Sequence, residues 1–260
     1  SESVPSVKKA GGNVQEIIAK VRELAAQNKD KEVKLAQVEK DMQALVEVLP
    51  NMPDPDLVGG GKENNHPIYH FGKEPTFDGF KPKDHVELEE SLGLIDYKRC
   101  VKISSSGTWM YTGLGAQMEW ALLNYCIAQH LGDGYTFILP PHMLNEESGY
   151  TAGQFPKFKN DVFWVDGTNP RKFMLPTAET ALVNIYRNEI LSIDDLPKKF
   201  FAYTPCYRNE SLSYHADERG MVRGYQFNKV EMVQYTTDDG SDVAFEELVK
   251  KAQKLVEGLG

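Results

Sequence analysis

Residues 200–234 read as a strand, a long polar loop and a second strand, and they constrain the fold more than any other stretch. An apolar run begins at Phe200 and ends in the pair Arg208 and Glu210. A second run, residues 225–235, is rich in the aromatic and β-branched residues that favour strands. Most hairpin loops have only a few residues, so the long connection argues against a simple surface hairpin.

Pairing of the two strands would bring several functional side chains onto one face of a sheet. Side chains two positions apart on a strand point the same way, so Arg208 shares a face with Glu210. On the second strand the shared face carries Phe227, Lys229 and Glu231. Unpaired charge on an enclosed face is costly, so this face requires a ligand or a set of partners. Cross-strand salt bridges on a surface hairpin remain the alternative.

Composition limits the classes of function. The 260 residues, 41% of them hydrophobic, suffice for one large core or for one core with an appendage. The formal net charge of −9 argues against a general nucleic-acid binder and against DNA, so any RNA contact must be a local patch. Cys100, Cys126 and Cys206 show no zinc or redox spacing, which predicts a reducing cytoplasm. We also expect no membrane segment and no secretion signal.

A long helix is predicted in residues 14–49, which contain no glycine or proline and follow a capping-box pattern at Asn13 and Glu16. A mostly apolar series recurs there at alternating spacings of four and three. The series is Ile17, Val21, Leu24, Asn28, Lys31, Leu35, Val38, Met42, Leu45 and Leu49. This heptad pattern is typical of a coiled coil, and a helix of roughly 54 Å requires a partner helix. We call residues 1–50 the arm.

The arm carries local positive charge within an acidic chain. Seven basic and four acidic residues between Lys8 and Lys34 leave a local charge of +3. An ordinary solvated helix surface explains this charge, whereas a bound phosphate backbone is the sharper interpretation. Under the second interpretation the candidate RNA contacts are Lys20, Arg22 and Lys29.

Residues 51–66 contain two prolines and three consecutive glycines, which predicts a linker between the arm and a second domain at residues 67–260. Within that domain, helices are predicted at residues 82–93, 114–131 and 241–257, and a strand at residues 135–139. Thr177 precedes another helical run and is explained, from local sequence alone, as a helix N-cap.

Three segments in order resemble the second signature motif of class II aminoacyl-tRNA synthetases, most closely that of seryl-tRNA synthetases. They are YRNE at residues 207–210, DERGMVR at 217–223 and QFNKVEMVQ at 226–234. Further segments similar to elements of this family are PKDHVELEESLG at 82–93, GYTAGQFPKF at 149–158 and FMLPTAE at 173–179. The predicted helix 114–131, the strand after it and Pro141 resemble the first class II motif, which builds the dimer interface in that family.

The resemblance implies an α+β fold, in which a class II antiparallel sheet is flanked by helices and preceded by a long coiled-coil arm. Residues 1–50 would be the second half of a tRNA-binding arm, 51–66 a linker and 67–260 an incomplete catalytic domain. The family pattern has a further arm helix before these segments and a third motif after them. We therefore expect a central fragment of a homodimeric enzyme that is inactive alone.

The implied reaction is ATP-dependent activation of L-serine to seryl-adenylate, followed by transfer to tRNA(Ser), which the arm would bind. The family pattern makes Arg208 catalytic, with a planar fork that grips the α-phosphate and the serine carboxylate together. Glu210 would accept from the adenine amino group, and Phe227 would stack on the adenine. ATP would bring Mg²⁺, whose ligands lie beyond Gly260 in the family pattern, so no metal ligand is predicted here.

The serine contacts implied by the resemblance are Thr177, Glu179, Arg208 and Glu231. Thr177 and Glu179 would bind the ammonium group, and Glu231 would accept the hydroxyl, which disfavours alanine. Ala216 and Glu218 depart from the family loop, which usually carries a basic and a small residue there, and this lowers its positive charge. The alternatives are a catalytically impaired paralogue that acts as a binding protein, an amino-acid:carrier-protein ligase and a structural coiled-coil protein.

Overall fold

The computed structural model describes residues 14–209 and 219–260. The chain divides into two compact units, one that ends at Asn64 and one that spans Asn65–Gly260. The first unit contains the long helix of the arm, and the second contains the sheets and the remaining α-helices. The division falls within residues 51–66, where prolines and glycines disfavour regular structure.

Helix α1 spans Val14–Val46, which confirms the predicted helix but ends it slightly earlier, ahead of Pro50. No residue of α1 is buried, and Leu45 of the apolar series is 69% exposed. Polar side chains four positions apart hydrogen-bond along the surface, for example Gln37 to Asp41 at 2.7 Å. Local backbone and side-chain interactions therefore hold α1 together, and its apolar series is open to solvent in the described part of the first unit.

The second unit contains further helices, which alternate with short strands. They span His85–Ser91 (α2), Tyr97–Ile103 (α3), Leu114–Gly132 (α4), Glu146–Thr151 (α5), Glu179–Leu182 (α6) and Ser241–Glu257 (α7). The predicted helices near residues 82–93, 114–131 and 241–257 correspond to α2, α4 and α7. Asp84 caps α2 in a capping box with Glu87, and Asn145 caps α5, so polar side chains fix where these helices begin.

The main sheet has strand order β1-β5-β6 in the described residues. The strands span Thr136–Ile138 (β1), Lys198–Tyr207 (β5) and Gln226–Tyr235 (β6). β5 and β6 are antiparallel along their full length, from Lys198 opposite Tyr235 to Tyr207 opposite Gln226, which confirms the pairing of the two predicted strands. β1 is parallel to β5, so the sheet is mixed at this edge.

A second, smaller sheet is antiparallel and has the order β2-β4-β3. Its strands span Met143–Asn145 (β2), Trp164–Val165 (β3) and Lys172–Met174 (β4). Phe173 and Leu175 are fully buried in the adjoining core, and each such burial contributes about 1.5–3 kcal/mol. A Cβ at Gly149 would lie 2.3 Å from the ring of Phe155 in this core, so no larger residue fits there.

Helices α4 and α7 pack against the main sheet and against each other. Trp120 of α4 packs on Tyr203 of β5, with ring centroids 5.6 Å apart. The hydroxyl of Tyr125 on α4 donates to a backbone carbonyl of α7 at 3.1 Å, and Lys199 of β5 pairs with Glu247 of α7 at 2.8 Å. The predicted α+β architecture is therefore confirmed. None of the described helices is both long and apolar enough to cross a bilayer.

Candidate active site

The register of β5 and β6 defines one functional face of the main sheet. Phe227, Lys229 and Glu231 occupy alternate positions of β6, and all three are partly buried. Opposite them on β5 lie Cys206, Thr204 and Ala202, which are fully buried. The face therefore consists of small residues on β5 and longer functional side chains on β6.

Glu231 is held by a connected set of hydrogen bonds. Its Oε2 accepts from the Thr177 hydroxyl at 2.5 Å and pairs with the Lys229 ammonium at 2.7 Å. The Lys229 ammonium also donates to the Thr177 oxygen at 2.7 Å, and the Glu179 backbone N–H donates to Glu231 at 3.2 Å. Partners within the protein thus satisfy the charge on this face, as the cost of burying unpaired charge requires.

Thr177 is part of this set of hydrogen bonds, and its role is not that of a helix N-cap. Helix α6 begins at Glu179, and the residue at its N-cap is Ala178, which makes no side-chain capping bond. The Thr177 side chain is 3% exposed, and its oxygen is 3.3 Å from the Glu179 N–H, farther than from Glu231 or Lys229. The interpretation of Thr177 as the N-cap is therefore wrong, because Ala178 is the N-cap and the short hydrogen bonds of Thr177, which precedes α6, are made with β6.

Glu179 adds a second carboxyl group beside Glu231. Burial raises the pKa of the Glu179 carboxyl, the Glu231 carboxylate raises it further, and Lys229 partly offsets both effects. Two carboxyl groups thus share one ammonium group. A cationic ligand would stabilise the ionised form of Glu179, so the arrangement favours a small molecule with an ammonium group.

Arg208 follows β5 directly and stands beside Phe227. Its backbone N–H donates to the Tyr225 carbonyl at 3.0 Å, so backbone pairing continues past the end of the strand. Its Nε donates to the Pro176 carbonyl at 3.3 Å, and its Cζ lies 5.1 Å from the centre of the Phe227 ring. A guanidinium group and an aromatic ring are therefore adjacent, as the sequence predicted from the strand register.

A cleft of about 320 Å³ opens beside Arg208. Its lining residues are Gln154, Phe158, Asp161, Val162, Pro176, Arg208 and Arg223. Two guanidinium groups on one cleft favour an anionic ligand such as a phosphate or a carboxylate. Arg223 was not among the residues predicted for the site, although its place in the same motif as Arg208 was an available signal.

Lys229 is the other side chain that the predicted site residues omitted. Its ammonium group joins Thr177 to Glu231, so it orders both candidate ligand-binding side chains. The available signal was its position between Phe227 and Glu231 on the same strand face.

The remaining predicted residues lie elsewhere. Glu210, Ala216 and Glu218 lie outside the described residues. Lys20, Arg22 and Lys29 are exposed on α1, in the first unit. Across residues 14–209 and 219–260, no group of three or more His, Cys, Asp or Glu side chains could hold a metal ion.

Two family models match the chain. Residues 163–260 match the tRNA synthetase class II core domain (G, H, P, S and T), and residues 1–53 match the seryl-tRNA synthetase N-terminal domain. The chain belongs to the seryl-tRNA synthetase family. The class II core match includes every site residue from Thr177 to Glu231, and the N-terminal match includes all of α1 in this synthetase chain.

Similar proteins carry the same family name. The synthetase chain is 55% identical to serine–tRNA ligase 2 of Clostridium acetobutylicum, over 100% of the chain and 62% of that protein. It is 40% identical to the serine–tRNA ligase of Clostridium tetani, over 100% of the chain and 61% of that protein. The chain thus spans about three fifths of the length of these curated relatives.

Solved structures show the same fold. The crystal structure of seryl-tRNA synthetase from Pyrococcus horikoshii complexed with ATP superposes with a TM-score of 0.86 at 27% identity. The match covers 98% of this chain and 61% of that one. A serine–tRNA ligase from Naegleria fowleri in complex with AMP superposes with a TM-score of 0.80 at 22% identity and supports the fold alone.

Proposed function

We propose that the complete protein is a serine–tRNA ligase, which activates L-serine with ATP and transfers the seryl group to tRNA(Ser). The observation that carries the proposal is the hydrogen-bonded set of Thr177, Lys229 and Glu231 beside Arg208 and Phe227. The identity to serine–tRNA ligases and the class II core match support the same reaction. The arm at residues 1–50, the linker at 51–66 and the catalytic domain at 67–260 are part of this proposal.

The serine pocket in this proposal is formed by Thr177, Glu179 and Glu231. The ammonium group of serine would meet Thr177 and the carboxylate of Glu179, whose pKa is raised by burial and by the neighbouring Glu231 carboxylate. Glu231 would accept the serine hydroxyl. Thr177, Lys229 and the Glu179 N–H all contact Oε2 of Glu231 and orient the carboxylate, so Oε1 would accept the serine hydroxyl. Alanine has no hydroxyl to donate to Oε1 and would bind more weakly.

ATP would occupy the cleft beside Arg208. The two guanidinium groups of Arg208 and Arg223 fit phosphate oxygens, and the ring of Phe227 fits the face of adenine. Glu210, which lies outside the described residues, would accept from the adenine amino group. The similar seryl-tRNA synthetase from Pyrococcus horikoshii was crystallised in complex with ATP, which supports ATP as a ligand of the complete protein.

The chemical step is an attack of the serine carboxylate on the α-phosphorus, with pyrophosphate as the leaving group. Arg208 can contact both reacting partners because its fork is planar, and the Pro176 carbonyl and Phe227 ring restrict its orientation. Positioning and charge neutralisation supply most of the rate in such reactions. Mg²⁺ commonly accompanies ATP, but the described residues offer no clustered ligands for it, and no step is assigned to it.

The proposal includes two macromolecular partners, tRNA(Ser) for the first unit and a second copy of the protein for the second unit. Lys20, Arg22 and Lys29 would bind the phosphate backbone of tRNA(Ser) from the exposed surface of α1. On α4, the exposed apolar side chains Leu114 and Met118 would meet a second copy in a homodimer. An enzyme that supplies seryl-tRNA acts where translation takes place, so we place it in the cytoplasm.

The alternatives have less support. An impaired paralogue would not need the hydrogen bonds among Thr177, Lys229 and Glu231 or the placement of Arg208 beside Phe227. An amino-acid:carrier-protein ligase would not need the arm, whereas residues 1–53 match the seryl-tRNA synthetase N-terminal domain.

The direct test is serine-dependent ATP–pyrophosphate exchange with the complete protein. We expect exchange with L-serine, and a kcat/KM for L-alanine lower by well over tenfold, because alanine lacks the hydroxyl that Glu231 would accept. Charging of tRNA(Ser) is then measured with the same preparation. Exchange that is absent with serine, or equal with alanine, would contradict the proposal.

A further inference from the structure

Asn228 lies between Phe227 and Lys229 on β6, and its side chain lies on the opposite face of the sheet. Its amide nitrogen donates to a carboxylate oxygen of Glu119 on α4 at 2.9 Å. Its amide oxygen accepts from the hydroxyl of Tyr203 on β5 at 3.2 Å. Both ends of the side-chain amide are therefore fixed, one to a helix and the other to the neighbouring strand.

Glu119 is itself held in place. Its side chain is partly buried on α4, and the hydroxyl of Tyr111 hydrogen-bonds to it from the segment before that helix. The adjacent Trp120 packs on the ring of Tyr203, the second partner of Asn228. Glu119 thus connects α4 to β6 at the position directly beneath the proposed active site.

β6 depends on such a connection because of its place in the sheet. In the described residues β6 is an edge strand, with β5 on one side. Backbone hydrogen bonds to β5 set its register, whereas side-chain contacts set its distance from α4. Phe227 and Lys229 are covalent neighbours of Asn228, so a shift of Asn228 displaces both side chains. A displacement of about 1 Å weakens the contacts that these side chains offer to ATP and to the serine pocket, and the combined cost in catalytic efficiency can reach about a hundredfold.

We propose that Glu119 is a positioning residue for the active site. By fixing Asn228 from the face opposite the substrates, its carboxylate orients Phe227 toward adenine and Lys229 toward the serine pocket. Glu119 touches no substrate in this arrangement and acts through Asn228. The inference rests on the proposed function, because it concerns the geometry of the ATP and serine contacts.

The test measures ATP–pyrophosphate exchange by variants of the complete protein. Glu119→Ala is expected to raise the KM for ATP and for serine by about tenfold each, with kcat within about twofold of wild type. Asn228→Ala is expected to do the same. The double variant should be no worse than Asn228→Ala, because either single change already breaks the hydrogen bond that joins Glu119 to Asn228. Glu119→Gln retains an oxygen that accepts from Asn228 and should restore both KM values.

The matched control is Gln117→Ala, on an exposed position of the same helix, which should leave both KM values unchanged. A purely structural role for Glu119 would lower the melting temperature of Glu119→Ala while the folded enzyme kept its KM values, and this result would overturn the inference. Additive losses in the double variant would also overturn it. Wild-type protein without serine-dependent exchange would refute the proposed function, and this inference with it.

Discussion

The arm helix and the β5–β6 face differ in burial and in the sequence separation of the residues that hydrogen-bond to each other. In α1 no residue is buried, and the hydrogen bonds join residues that are near in sequence. On the β5–β6 face the decisive bond joins Thr177 to Glu231, which are 54 positions apart. An exposed helix can interact with a partner through summed surface charge, whereas a closed polar set acts through the placement of a few atoms. The two regions should therefore respond differently to substitution.

The largest effect is expected at Arg208. Arg208→Lys keeps the charge but loses the planar fork, so serine-dependent exchange should fall by well over tenfold, a loss above roughly 1.4 kcal/mol. Binding of tRNA, measured by filter retention, should remain unchanged. Arg171→Lys is the matched control. The Cζ of Arg171 lies 3.6 Å from the centre of the Trp164 ring, and Arg171 is not among the residues that line the cleft. Undiminished exchange in Arg208→Lys would remove Arg208 from the mechanism.

A more selective effect is expected at Thr177. Thr177→Val keeps the shape but removes the hydroxyl that donates to Glu231 and accepts from Lys229, so the KM for serine should rise about tenfold while the KM for ATP stays unchanged. Thr180→Val is the matched control. The hydroxyl of Thr180 is buried without a hydrogen-bond partner among the described residues, so its loss removes no hydrogen bond. Equal effects on both substrates would show that Thr177 supports the fold and not the serine pocket.

The arm should respond through charge. Reversal of Lys20, Arg22 and Lys29 to Glu should weaken tRNA(Ser) binding about fivefold and reduce the steepness of its salt dependence, while exchange stays at the wild-type rate. Lys40→Glu, on the same helix outside the basic region, is the control. Binding measured from low to high salt separates charge contacts from unfolding. A parallel loss of exchange and tRNA binding would mean that the arm is needed for folding.

The smallest effect concerns His130 in the core of the second unit. Its side chain is 2% exposed against the rings of Phe201 and Tyr135, and its Nδ1 has no partner in the described residues. Burial lowers its pKa more than Asp133 raises it, and Lys251 lowers it further. The pKa of His130 in the folded state thus lies below its value in the unfolded state, so the unfolded state takes up the proton first as the pH falls. The free energy of unfolding is therefore highest above about pH 6.5 and decreases as the pH drops through the folded-state pKa.

The melting temperature of the wild type should fall on going from neutral to mildly acidic solution. In His130→Phe this fall should be smaller by about 3 °C. Calorimetry or circular dichroism at a series of pH values measures this difference. His66→Phe, at an exposed histidine, should leave the dependence as in wild type. An identical slope in His130→Phe and wild type would show that His130 is not the responsible group.

Elements with a strong local pattern were predictable from the sequence. The helix at Ser241–Glu257 was predicted with its observed bounds, and the helix of the arm followed from the absence of glycine and proline. The alternation of Phe227, Lys229 and Glu231 predicted their shared face. These features depend on backbone periodicity, which a short window of sequence contains.

Features that depend on distant pairing were harder to predict. Local sequence favoured Thr177 as a helix cap. That interpretation failed because the partner of its hydroxyl, Glu231, lies 54 positions away on β6, outside any short window of sequence. The parallel pairing of β1 with β5 and the hydrogen bond from Asn228 to Glu119 also join residues that are far apart in the sequence. They depend on the tertiary fold and not on a local pattern. The proposed roles of Arg208 and Glu179 came from family resemblance, since sequence spacing does not identify a ligand.

The alternation of β6 has a consequence for how this family can change in length. Asn228 faces α4 while the residues on both sides of it face the proposed substrates, so a one-residue insertion within the strand would exchange the two faces. The substrate side would then receive Asn228 and Val230, and the helix side would receive Lys229. Insertions and deletions should therefore accumulate between residues 209 and 225, where the strand register can be kept, and be excluded from residues 226–235.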